Sequence, residues 1–132
     1  AGAEALYRQE LETFADNGRA RFNLAQLRRS HGDREGYLAE LGECVKKAAE
    51  FGACYFYLGR EELDAGRLDA AVDLAKRGLE VQPRSETAPL GHYVLADVYN
   101  RQGRRSEAAR EVEAGRALEA RAAKKEIPGT SK

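Results

Sequence analysis

The chain has 132 residues, enough for one domain with a buried core. Its 22 Lys and Arg balance 22 Asp and Glu, so it lacks the positive excess with which nucleic-acid binders displace counterions from phosphates. No stretch approaches the ~20 apolar residues of a membrane span.

Alanine, leucine, glutamate and arginine dominate, tryptophan is absent and only three prolines occur, which is a helical composition. Apolar residues at the 3.6-residue period, cut by turn formers, predict helices over about 3–15, 19–31, 34–49, 53–65, 68–81, 88–102 and 105–125. Asp16-Asn17-Gly18 separates the first two, and His31-Gly32-Asp33 the next two. Asp33 can cap the third helix, and Asp69 and Ser106-Glu107 place polar or acidic groups in later first turns. Ala65-Gly66 and Gln102-Gly103 make the later turns, while Pro83 stops the fifth helix and Pro89 suits the first turn of the sixth. The tail 127–132 reads as flexible.

The windows NLAQLRRSHGDREGYLAEL, YLGREELDAGRLDAAVDLA and VLADVYNRQGRRSEAAREV align on one another. Leu24, Leu58 and Leu95 share a column, Ala25, Gly59 and Ala96 the next, and Gly32, Gly66 and Gly103 a third. The steps between the turn glycines are 34 and 37 residues, the extra three falling in 84–88. A fixed period of this size marks stacked helix–turn–helix units.

These residues resemble the tetratricopeptide repeat family. The middle unit matches best: Tyr55 stands where the family prefers tryptophan, Leu58-Gly59 follows at the family spacing, and Gly66, Ala71 and Pro83 take their places. The third unit matches through Leu95-Ala96, Tyr99, Gly103, Ala108 and Gly115. The first matches at Leu24-Ala25 and Gly32 but carries Tyr37 where a small residue is expected, which predicts looser or shifted packing there. The resemblance implies an all-α, right-handed α-solenoid with repeats at about 18–51, 52–85 and 89–122 in one domain, 1–126. Ala3 and Tyr7 fit the second helix of a preceding unit, so 3–15 reads as a half-repeat, with an unrelated capping helix as the alternative. The long last helix is expected to close the array with a polar face.

Little in the sequence carries chemistry. His31 sits in a turn and reads as solvated, and His92 occupies the column of Tyr55 and reads as inter-repeat packing. No His/Cys spacing suits a metal, and no phosphate-cradling loop or nucleophile elbow occurs. The expectation is no enzyme and no cofactor. Cys44 and Cys54 read as small buried thiols; their helices are sequence neighbours, so a bridge is within reach but not required. No charged-then-apolar leader precedes the first helix. With no methionine, the sequence reads as a segment of a longer polypeptide or a processed product, its compartment open with a lean to the cytoplasm.

Solenoids of this kind present a concave face lined by the first helix of each repeat. The residues expected there are Phe22, Asn23, Gln26 and Arg29, with Arg19 beside them, then Phe56, Tyr57, Arg60 and Asp64, then Tyr93, Val94, Asp97 and Arg101, with Leu90 nearby. Phe22, Phe56, Tyr57 and Tyr93 would form an aromatic strip flanked by Arg29, Arg60 and Arg101, the residue types that most often anchor binding. The clamp with which some family members hold acidic chaperone tails is missing: Phe22, Tyr57, Leu90 and Val94 stand at four of its positions. The leading reading is a non-enzymatic module that binds a peptide or helix of a protein partner. The alternative is a structural segment of a larger bacterial protein, docking in cis on an enzyme or secretion component, or self-assembling through Ala3, Leu6 and Tyr7.

Overall fold

The computed structural model describes residues 2–13 and 17–126. The described residues form seven helices and no strand: α1 Gly2–Thr13, α2 Gly18–Ser30, α3 Arg34–Lys47, α4 Gly52–Asp64, α5 Leu68–Val81, α6 Ala88–Arg101 and α7 Arg105–Glu126. Each lies close to where the sequence breakers place it; the end of the expected first helix at 14–15 and the tail 127–132 fall outside the described residues.

Local chemistry explains the boundaries. Asn17 caps α2 by accepting the Ala20 N–H at 3.1 Å, and Asp33 caps α3 by accepting that of Gly36 at 2.9 Å. No side chain at Phe51 can cap α4; instead Gln82, at the end of α5, reaches across and accepts the Gly52 N–H at 2.7 Å. Gly32, Gly66 and Gly103 sit at φ +77°, +83° and +74°, left-handed backbone that only glycine enters cheaply. That requirement is why the third column of the sequence alignment is invariant.

Helices α2/α3, α4/α5 and α6/α7 pair as antiparallel hairpins, and each outer helix (α3, α5) also packs on the next inner one. The inner helices touch one another, α4 along α6 and α2 only briefly on α4, whereas the outer helices do not meet. An array packed on one side and splayed on the other must curve, with α2, α4 and α6 on the inside. The chain is therefore an all-α helical-repeat solenoid, and α1 adds a helix against α2.

Two hydrophobic cores run through it. The larger joins Leu63, Ala71 and Ala75 to Val94, Leu95, Ala96, Val98, Tyr99 and Ala108, spanning the second and third repeats. The smaller holds Ala25, Tyr37, Leu41, Cys44, Ala48 and Cys54. Tyr37 is buried in it, occupying the place of the small residue, and α2 packs on α3 less extensively than the later hairpins pair.

Two expectations are corrected here. Phe56 and Val94 were expected on the groove, but both are fully buried. The Phe56 ring lies between α5 and α6, so close to two glycines that a Cβ on Gly78 or Gly91 would stand 2.5 or 2.6 Å from its Cε1. Cys44 and Cys54 are a disulfide, not free thiols; the packing of α3 on α4 brings their Cα atoms to 6.1 Å. The His92 Nδ1 lies 2.8 Å from the Glu111 carboxylate, tying α6 to α7. Tyr55 does bridge repeats, donating its hydroxyl to the Ala49 carbonyl at 3.0 Å.

Candidate functional site: an aromatic cleft between the first two repeats

Where α2 leaves α4 incompletely covered, three rings converge. Phe22 of α2 meets Tyr57 of α4 edge-on at 4.9 Å between centroids, and meets Phe51, the residue before α4, at 6.0 Å. All three are half-buried on the smaller core, so each keeps some apolar surface for a ligand. Arg19 lies over the Phe51 ring at 5.4 Å and Arg29 over Tyr37 at 5.7 Å. Arg19, Phe22, Gln26 and Arg29 follow one another at helical spacing on one stripe of α2. The cleft continues past Ala53 to the α5–α6 connection at Gln82, Ser85, Glu86 and Thr87.

The other expected groove residues divide into groups. Arg60 pairs with Asp97 of the next inner helix at 3.4 Å and with Asp64 at 3.6 Å, a charge ladder that ties the second repeat to the third. Arg101 donates to the Leu63 carbonyl at 3.2 Å, a second bond to an oxygen that already accepts the Gly66 N–H at 2.9 Å. Tyr93 leaves the aromatic strip: its hydroxyl donates to the Glu119 carboxylate and its ring covers Gly115, so α7 holds it. That hydrogen bond is the main cause of its raised pKa. Asn23 and Gln26 are half-buried on α2.

Tyr37, buried in the smaller core, has its phenol pKa pushed up to about 12, first by burial and then by the Glu61 carboxylate, with Arg29 and Arg34 opposing. Glu61 in turn holds Arg34 at 2.8 Å. Phe51 is the ring that sequence reasoning missed, because it falls in a connection where helical periodicity says nothing about direction. Its one visible signal is an aromatic placed immediately before the glycine that opens α4. Among the described residues no cluster of three or more His, Cys, Asp and Glu could hold a metal. No helix of theirs is long and apolar enough to cross a membrane.

The fold and this cleft define a helical-repeat solenoid. No family model matches the sequence, and no curated protein matches it. Solved structures do. A crystal structure of MamA aligns with TM-score 0.67 at 15% identity over 92% of this chain and 69% of that one. MamA from MSR-1 aligns at 0.61 with 20% identity, covering 90% and 67%, and MamA from AMB-1 at 0.61 with 21%, covering 89% and 62%. The chain thus spans about two-thirds of the length of these neighbours, and what it shares with them is the fold.

Proposed function

We propose that this chain is a non-enzymatic interaction module that takes a peptide or short helix of a protein partner in the cleft between α2 and α4. The observation that carries the reading is the convergence of Phe22, Phe51 and Tyr57 beside two arginines that form no ion pair among the described residues. Half-exposed rings supply apolar contact at low entropic cost, and a guanidinium resting on a ring is already ordered for a carboxylate. The matching partner carries an apolar anchor residue with an acidic residue on at least one side. Arg60, Asp64, Asp97 and Arg101 serve the curvature of the groove, since each is engaged within the solenoid.

Capture from a source lysate, comparing the wild type with an Arg19→Glu, Phe22→Ala variant of matched helicity, tests this. A protein held by the first and lost by the second supports trans recognition. Identical captures, or none, would favour a spacer or in-cis docking role instead. Self-association is a second reading, favoured by Leu6 of α1, which is 65% exposed and the most exposed large apolar side chain among those described. A mass that rises with concentration and falls back on Tyr7→Glu supports it; a concentration-independent mass removes it.

A further inference from the structure

The first repeat is fastened to the second differently from the way the second is fastened to the third. The later junction is continuous core: Phe56 is locked between Gly78 and Gly91, and the larger cluster crosses from α4 to α7 without a break. The earlier junction is thin, with α2 barely reaching α4 and α3 packing on α4 less extensively than α5 on α6. The smaller core belongs to α2, α3 and the segment that leads to α4, and the one fully buried α4 side chain in it is Cys54. That residue is bonded to Cys44, and neither sulfur is exposed to solvent. The disulfide is therefore a covalent staple at the thinner of the two seams between repeats, and the aromatic cleft straddles the same seam, Phe22 on one side and Tyr57 on the other.

We infer that the Cys44–Cys54 bond is a redox staple: reduction frees α2 and α3 to open as a unit while α5–α7 stay folded, and the aromatic cleft persists only in the oxidised chain. Its bearing on binding rests on the function proposed above; the opening itself does not. Repeat arrays behave as units coupled through their neighbours, so a unit with a thin interface opens first when its extra coupling is removed. In the reaction, one thiolate of a dithiol attacks a bridge sulfur to give a mixed disulfide, and the second thiolate then displaces the protein sulfur. The two electrons end on Cys44 and Cys54, which take up two protons as thiols, and the dithiol leaves as a disulfide. A thiol at Cys44 would find the Gly18 carbonyl oxygen, 3.8 Å from its sulfur, as an acceptor. Because both sulfurs are buried, the reductant reaches them only through transient opening of the seam.

Hydrogen exchange of the whole chain, read by mass spectrometry, tests this on the oxidised protein, the dithiothreitol-reduced protein and a Cys44→Ala, Cys54→Ala variant. The expected result is exchange in α2 and α3 faster by roughly tenfold or more in the last two samples, with α5–α7 unchanged. Equal protection of α2 and α3 in all three samples would overturn the inference. Uniform loss of protection along the chain would overturn it too, since the bond would then hold the entire fold. Neither outcome touches the cleft reading, which stands or falls on Arg19→Glu, Phe22→Ala capture by the oxidised protein.

Discussion

Phe56 offers the sharpest test of the packing described above. It was expected on the groove, yet its ring is buried between Gly78 and Gly91. Phe56→Ala should then cost the transfer free energy of the ring plus a cavity term, about 3–5 kcal/mol in total. For a chain of this length that is a fall in Tm of roughly 10–20 °C. Gly91→Ala alone should cost about 1–2 kcal/mol, because its Cβ would stand 2.6 Å from a ring with nowhere to move, which outweighs the helix propensity gained. In the Phe56→Ala background the ring is gone, so Gly91→Ala should become neutral or stabilising by up to about 1 kcal/mol. The sign reversal is the diagnostic, and a double-mutant cycle by urea unfolding under circular dichroism reads it as a coupling of roughly 1–3 kcal/mol. If Phe56→Ala costs no more than a surface change of about 0.5 kcal/mol, or Gly91→Ala has the same effect in both backgrounds, the ring is not clamped and the reasoning fails.

Gly66→Ala, at φ +83°, should destabilise by about 1–2 kcal/mol. Gly42→Ala, where nothing lies within 4 Å of an added Cβ, should stabilise by up to about 1 kcal/mol; equal effects at the two sites would refute the turn argument. Tyr37 keeps its proton more tightly in the folded than in the unfolded chain, so its contribution is fully present below pH 10 and is lost as pH rises through about 12. Spectrophotometric titration should show late phenolate ionisation from both Tyr37 and Tyr93, and Tyr37→Phe should reduce its amplitude by one tyrosine; an unchanged late amplitude contradicts the assignment. Arg28 joins Glu4 of α1, Asp33 and Glu40 at 3.4, 3.5 and 3.8 Å. Arg28→Met should accelerate exchange in α1 while leaving α6 and α7 as they were, and unchanged α1 protection would show that apolar contact alone seats that helix.

The helices, their order and their turns were legible in the sequence because they rest on local physics. A left-handed residue at Gly32, Gly66 and Gly103, a capping carboxylate at Asp33 and a period of 3.6 residues are fixed by neighbours in the chain. Their repetition at a set spacing then leaves few ways to bury the apolar faces other than stacking. Periodicity tells which face of a helix is apolar, but an inner helix of a solenoid touches its own partner, the preceding outer helix and the next inner one. Which of these a ring meets depends on the rotation between repeats. That rotation buried Phe56 and Val94, turned Tyr93 and His92 onto α7, and drew Phe51 from a connection into the cleft. The disulfide belongs to the same class: two cysteines ten positions apart on successive helices can bond only when packing brings their backbones within reach, and that distance exists only in the folded chain.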